Sequence, residues 1–86
     1  MEHVMAVSTL NDEAEFWDGL KQAHAKLPKG ARWKLAVASK DGTRAVNVIV
    51  GDSVASVRDF FESHVGDSAV TEYFEADAAN ALGLPR

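Results

Sequence analysis

The sequence predicts a small α+β domain of β-α-β-β-α-β order, a four-stranded antiparallel sheet with two helices on one face. Hydrophobic periodicity alternates between short apolar or two-residue patterns and steps of three and four, in that order along the chain. Asp41-Gly42 stands between two alternating runs near the middle, as a hairpin turn would. Asn11-Asp12 and Gly51-Asp52-Ser53 stand where a strand pattern gives way to a helical one, which suits helix N-caps. With 86 residues the chain is one domain, residues 1–86, of which 77–86 are a terminal turn and tail.

Each element has its own reason. His3 to Leu10 is short, apolar and bounded by Asn11-Asp12, a buried strand. From Asp12 to about Leu27 the apolar residues Phe16, Leu20, Ala23 and Leu27 make one helical stripe, flanked by Trp17 and His24. Asn11 or Asp12 caps it, Glu13 and Glu15 suit its first turn, and Pro28 with Gly30 stops it. Arg32 to Lys40 alternates, with Trp33, Leu35 and Val37 on one side and Arg32, Lys34, Ala36 and Ala38 on the other. After a two-residue Asp41-Gly42 turn, Thr43 to Val50 alternates Val46, Val48 and Val50 against Ala45, Asn47 and Ile49. Asp52 or Ser53 caps a second helix whose apolar face is Val54, Val57, Phe60, Phe61 and Val65, ended by Gly66. Ala69 to Asp77 is a last strand, and Asp77 to Gly83 a final helical turn.

This order is the ferredoxin-like arrangement. Right-handed crossovers put the first and third strands in the centre and the second and fourth at the edges. The edge segments carry charge, Arg32, Lys34 and Lys40 on one and Glu72, Glu75 and Asp77 on the other, which discourages edge pairing. The larger residues Trp33, Leu35, Val37, Val46, Val48 and Val50 are expected beneath the helices. The open face is then expected to hold Lys34, Ala36, Ala38, Ala45, Asn47 and Ile49, with Tyr73 if Phe74 faces the helices. The first strand is ambiguous between His3, Met5 and Val7 and the alternative set Val4, Ala6 and Leu10. An open face this apolar calls for a cover, and a second copy is the simplest one. Two sheets packed face to face would make a homodimeric α+β barrel with room for a small-molecule ligand.

Charge and composition exclude several function classes. Nine Lys and Arg against thirteen Asp and Glu give a net charge of −4, without the basic footprint of a nucleic-acid binder. There is no cysteine, hence no disulfide framework, thiolate metal site or cysteine nucleophile. No apolar run approaches the ~20 residues of a membrane span. A soluble cytoplasmic protein is expected, without nucleic acid, membrane or cofactor.

Gly51-Asp52-Ser53-Val54 superficially resembles an esterase serine site, but turns and caps use the same residues, and Gly66-Asp67-Ser68 repeats the tripeptide at another turn. His3, His24 and His64 show no i, i+4 pair, so no metal site is expected. The central strands bear no aromatic residue, which excludes the base-stacking platform of an RNA-recognition domain. Asn47 is the informative residue, a polar side chain in the middle of a central strand. On the open face it would either bond across a dimer interface or position a ligand, with Tyr73 and Lys34 supplying a donor and a charge and His3 a fourth contact.

Arg32-Trp33, Lys40-Asp41-Gly42-Thr43 and Val70-Thr71-Glu72 together resemble the dimeric α+β barrel superfamily, and within it short bacterial domains of uncharacterised function, some described as nickel-binding. The resemblance spans nearly the whole chain and implies pairing through the open sheet face. The metal does not carry over, because clustered histidine or cysteine ligands are absent. Acylphosphatases share the topology, but Ser8 to Glu13 holds neither the arginine nor the glycine of their phosphate loop. Two functional readings follow. The first is a small dimeric domain binding a small molecule or a protein partner at the open face. The second is a cofactor-independent enzyme, of monooxygenase or isomerase type, in which Asn47 and Tyr73 orient the substrate and His3 or Lys34 acts as acid or base.

Overall fold

Strand β1 (Glu2–Leu10), helix α1 (Glu13–Ala25), strands β2 (Arg32–Ala38) and β3 (Arg44–Gly51), helix α2 (Val54–Val65) and strand β4 (Ala69–Glu75) follow one another in the computed structural model, which describes residues 1–80. The sheet order is β2-β3-β1-β4 and every neighbouring pair is antiparallel, the ferredoxin-like arrangement expected. Single 3₁₀ turns occupy Gly66–Ser68 and Ala78–Asn80; the remainder of the expected final turn, residues 81–83, lies outside the described residues.

Local chemistry sets the helix boundaries. The Asp12 carboxylate accepts the Glu15 N–H at 3.0 Å and so caps α1. On α2 the cap is Ser53 in a reciprocal box. Its hydroxyl accepts from Ser56 N–H at 3.0 Å, while the Ser56 hydroxyl accepts from Ser53 N–H at 3.1 Å. The Ser53 hydroxyl therefore does the work of a helix cap. The β2–β3 turn is longer than the two residues expected: Ser39 N–H bonds the Arg44 carbonyl at 2.9 Å, leaving a four-residue loop. Asp41 organises it, accepting from the Thr43 and Ser39 hydroxyls at 2.7 Å each and from Thr43 N–H at 3.0 Å. Those donors hold its exposed carboxyl at about 2, with the Thr43 hydroxyl foremost. Gly42 takes the left-handed conformation (φ +77°) that the tight return requires.

The core lies between the helices and one sheet face. Phe16, Leu20 and Ala23 of α1 and Val57, Phe61 and Val65 of α2 meet Val4 and Ala6 of β1, Ala45 and Ile49 of β3 and Ala69 of β4. Phe61, not Phe60, is the buried aromatic residue of α2; Phe60 is only partly covered and its ring lies 4.7 Å from that of His64. Gly19 permits the helices to approach closely, since a Cβ there would run into the backbone carbonyl of His64.

The facing of the sheet reverses the expectation for β2 and β3. Ala45, Asn47 and Ile49 lie beneath the helices, paired across β1 with Ser8, Ala6 and Val4. Val46, Val48 and Val50 lie on the open face, paired with Val7, Met5 and His3. Two physical causes account for it. Large rings already project from the helices, Phe16 and Phe61 with centroids 6.2 Å apart, so close packing favours the smaller strand residues opposite them. On β2, Lys34 is an extra residue: Trp33 pairs with Ile49 and Leu35 with Val48, leaving Lys34 without a partner. A bulge of one residue transfers every later side chain to the other face. Trp33 therefore packs under the helices, whereas Leu35 and Val37 turn outward.

Candidate functional site

The open face is the more apolar side that the sheet leaves uncovered. Across its strands run Leu35 and Val37 of β2, Val46, Val48 and Val50 of β3, Met5 and Val7 of β1, and Val70 and Phe74 of β4. Its centre is dense enough that Val48 and Val50 are shielded by their neighbours, whereas Leu35, Val37, Val70 and Phe74 are 38, 49, 66 and 46% exposed. Alternation places apolar side chains across the middle of β2, β3 and β1 without a polar break, and Glu72 interrupts the row only on the β4 edge, between Val70 and Phe74. Charge stands only at its borders. Arg32 and Arg44 face out on the β2–β3 side, and Glu72 faces out on β4. The expectation of an apolar open face thus holds, with a different and larger set of side chains than expected.

The four residues expected to bind a ligand are separated by the same reversal. Asn47 is fully buried beneath the helices, where its Oδ1 accepts the Trp33 indole N–H at 3.0 Å. The indole can only donate, so it fixes which end of the amide is oxygen. The other end, Nδ2, has no partner among the described residues. Tyr73 lies on the same helix-side face at the β4 edge, paired across β1 with Ala6, and its hydroxyl donates to the Glu62 carboxylate of α2. Partial burial, reinforced by that carboxylate, pushes the phenol well above its ordinary range. Tyr73 is therefore a neutral donor locked to α2. Lys34 occupies the bulge on β2, at the opposite edge of the sheet from Tyr73. His3 pairs with Val50 and shares the open face. Edge strands three spacings apart are about 14 Å from each other. The four do not converge on one point.

The remaining histidines serve local packing. His24 lies against Trp33, ring centroids 5.9 Å apart, and His64 Nδ1 is 3.0 Å from the Phe60 carbonyl oxygen and 3.1 Å from the Ser63 hydroxyl. Among the described residues no three His, Asp or Glu side chains gather as a metal would require, and no helix is long and apolar enough to cross a membrane. Sequence reasoning missed the outward residues of β2 because a bulge is silent in an alternating pattern. Its one signal is that Trp33, Leu35 and Val37 would together overfill a site already holding two phenylalanine rings. Compared with known proteins, the chain matches no family model, no curated protein and no solved structure.

Proposed function

We propose that this chain is a self-pairing interaction domain: two copies pack open sheet against open sheet, making the dimeric α+β barrel that the resemblance implies. The observation that carries the reading is the continuous apolar open face with cationic residues on one side and an anionic residue on the other. A twofold axis running between the two sheets parallel to the strands lays β2 of one copy over β4 of the other. The Arg32 and Arg44 side then meets the Glu72 side, and the apolar centres cover each other. The occupant of the open face is in this reading a second copy, and a small-molecule or partner site belongs elsewhere on the domain. The reading is of a cytoplasmic scaffold or binding domain. The cofactor-independent enzyme gains no support from Asn47, Tyr73, Lys34 and His3, which share no reacting point.

Native mass spectrometry at micromolar concentration tests the pairing. The expected result is a dimer that Val37→Glu converts to a monomer of unchanged circular dichroism, because the variant would bury an unpaired charge. A monomeric wild type, or a Val37→Glu dimer, would overturn the proposal. Ala45→Glu is no test of the face, since Ala45 lies in the core and its replacement would unfold the domain.

A further inference from the structure

On the helix side of β2 a groove of about 410 Å³ runs between α1 and the edge strand, walled by Trp17, Lys21 and His24 from the helix and by Trp33 and Lys34 from the strand. That volume lies within the usual range of small-molecule sites, ~300–1,000 Å³. Smaller clefts such as that between residues 27–31 and the start of α2, about 100 Å³, hold little more than water.

Three features of the groove specify its occupant. Trp33 is held on several sides, by the Asn47 bond at 3.0 Å, by Phe61 at a centroid distance of 6.3 Å and by His24 at 5.9 Å. Its only donor is spent on Asn47, so what it offers a ligand is a pre-positioned aromatic surface. Trp17 is likewise braced, edge-on to Phe16 at 5.4 Å and 89°. The second feature is charge. Lys21 and Lys34 stand on the two walls, no carboxylate lines the groove, and neither lysine has an ion-pair partner among the described residues. A cationic cleft in a chain of net charge −4 is a local inversion of sign. The third is the bulge itself. Lys34 is the unpaired extra residue of β2, and a bulge re-aims a side chain that regular alternation would have placed differently.

We infer that this groove binds a planar aromatic carboxylate, its ring against the indoles of Trp17 and Trp33 and its anionic group between Lys21 and Lys34. The site lies at the β2 edge on the helix side and shares Leu35 of its lining with the face proposed to pair. Trp17, Lys21 and Trp33 stand off that face, so the site does not depend on the pairing.

The test is a two-dimensional NMR titration of the full chain with 1-naphthoate and, separately, with its uncharged counterpart 1-naphthamide. Saturable shifts are expected at the Trp17 and Trp33 indole N–H signals, with a Kd on the order of 0.1–1 mM for the acid. The amide should bind about tenfold more weakly. The Lys21→Gln, Lys34→Gln double variant should bind acid and amide alike, and raised salt should erase the preference in the wild type. No saturable shift, equal affinity of the wild type for the two probes, a preference unchanged in the double variant, or shifts confined to the open face would each overturn the inference. Repeating the titration on Val37→Glu separates the two proposals, because a monomer that still prefers the acid retains this site without the dimer.

Discussion

Asn47 and Trp33 show how one polar pair can be both necessary and incomplete. The amide is fully buried and spends its oxygen on the indole N–H, while its Nδ2 has no partner among the described residues. Removing the indole donor strands the whole amide, so Trp33→Phe is expected to cost about 1–3 kcal/mol beyond what its lost area explains. Asn47→Leu should cost less, since it also removes the unpaired donor, and the double variant should fall short of the sum of the two. Urea titrations of the four proteins measure that coupling, and strict additivity would mean the hydrogen bond is not formed in solution. Asn47 was legible in the sequence as a polar residue of a central strand. Which way it faced was not, because a period of two gives two faces and no label for either.

Between elements the decisive contacts are steric. Helix α1 lies against α2 where Gly19 passes the His64 carbonyl, and a Cβ at that position has no room. Gly19→Ala is expected to destabilise the domain by about 1–3 kcal/mol, although alanine is the better helix former by ~1 kcal/mol. Thermal or denaturant unfolding decides the sign, and a stabilised variant would show that the helices sit farther apart. The helix stripes were legible, Phe16, Leu20 and Ala23 on α1 and Val57, Phe61 and Val65 on α2, because a period of 3.6 marks one continuous face. The choice between Phe60 and Phe61 was not, since both border that stripe and only the crossing of the helices decides which ring is covered. On β2 the bulge at Lys34 separates Trp33 from Leu35 and Val37, and no residue type announces it.

For the whole molecule the distribution of charge matters more than its total. Arg32 and Arg44 border one side of the open face and Glu72 the other, so a paired sheet would bring opposite signs together. Glu72→Arg should therefore weaken the dimer about tenfold or more, and adding Arg32→Glu with Arg44→Glu in the same chain should restore it. Sedimentation equilibrium at low and high salt reads both effects. A dimer indifferent to all three changes would mean that the two sheets meet in another orientation. None of these substitutions touches the core or the groove, so the fold serves as its own control in each.

By itself the sequence determined the element order, the strand and helix ends to within a few residues, the helix caps to one of two adjacent residues each, and the antiparallel sheet with β1 and β3 at its centre. Those features depend on local chemistry and chain connectivity: side chains that cap, glycines that turn, periods that match one backbone geometry, and crossovers of one hand. Only the tertiary structure decided which sheet face the helices cover. That choice depends on volumes summed across four strands and two helices, where Phe16, Phe61 and Trp33 leave room for Ala45 and Asn47 but not for a row of valines. It moved Asn47 inward and sent Leu35, Val37, Val46 and Val48 outward. With that exchange it created the apolar face available to a second copy and the cationic groove beside Trp33.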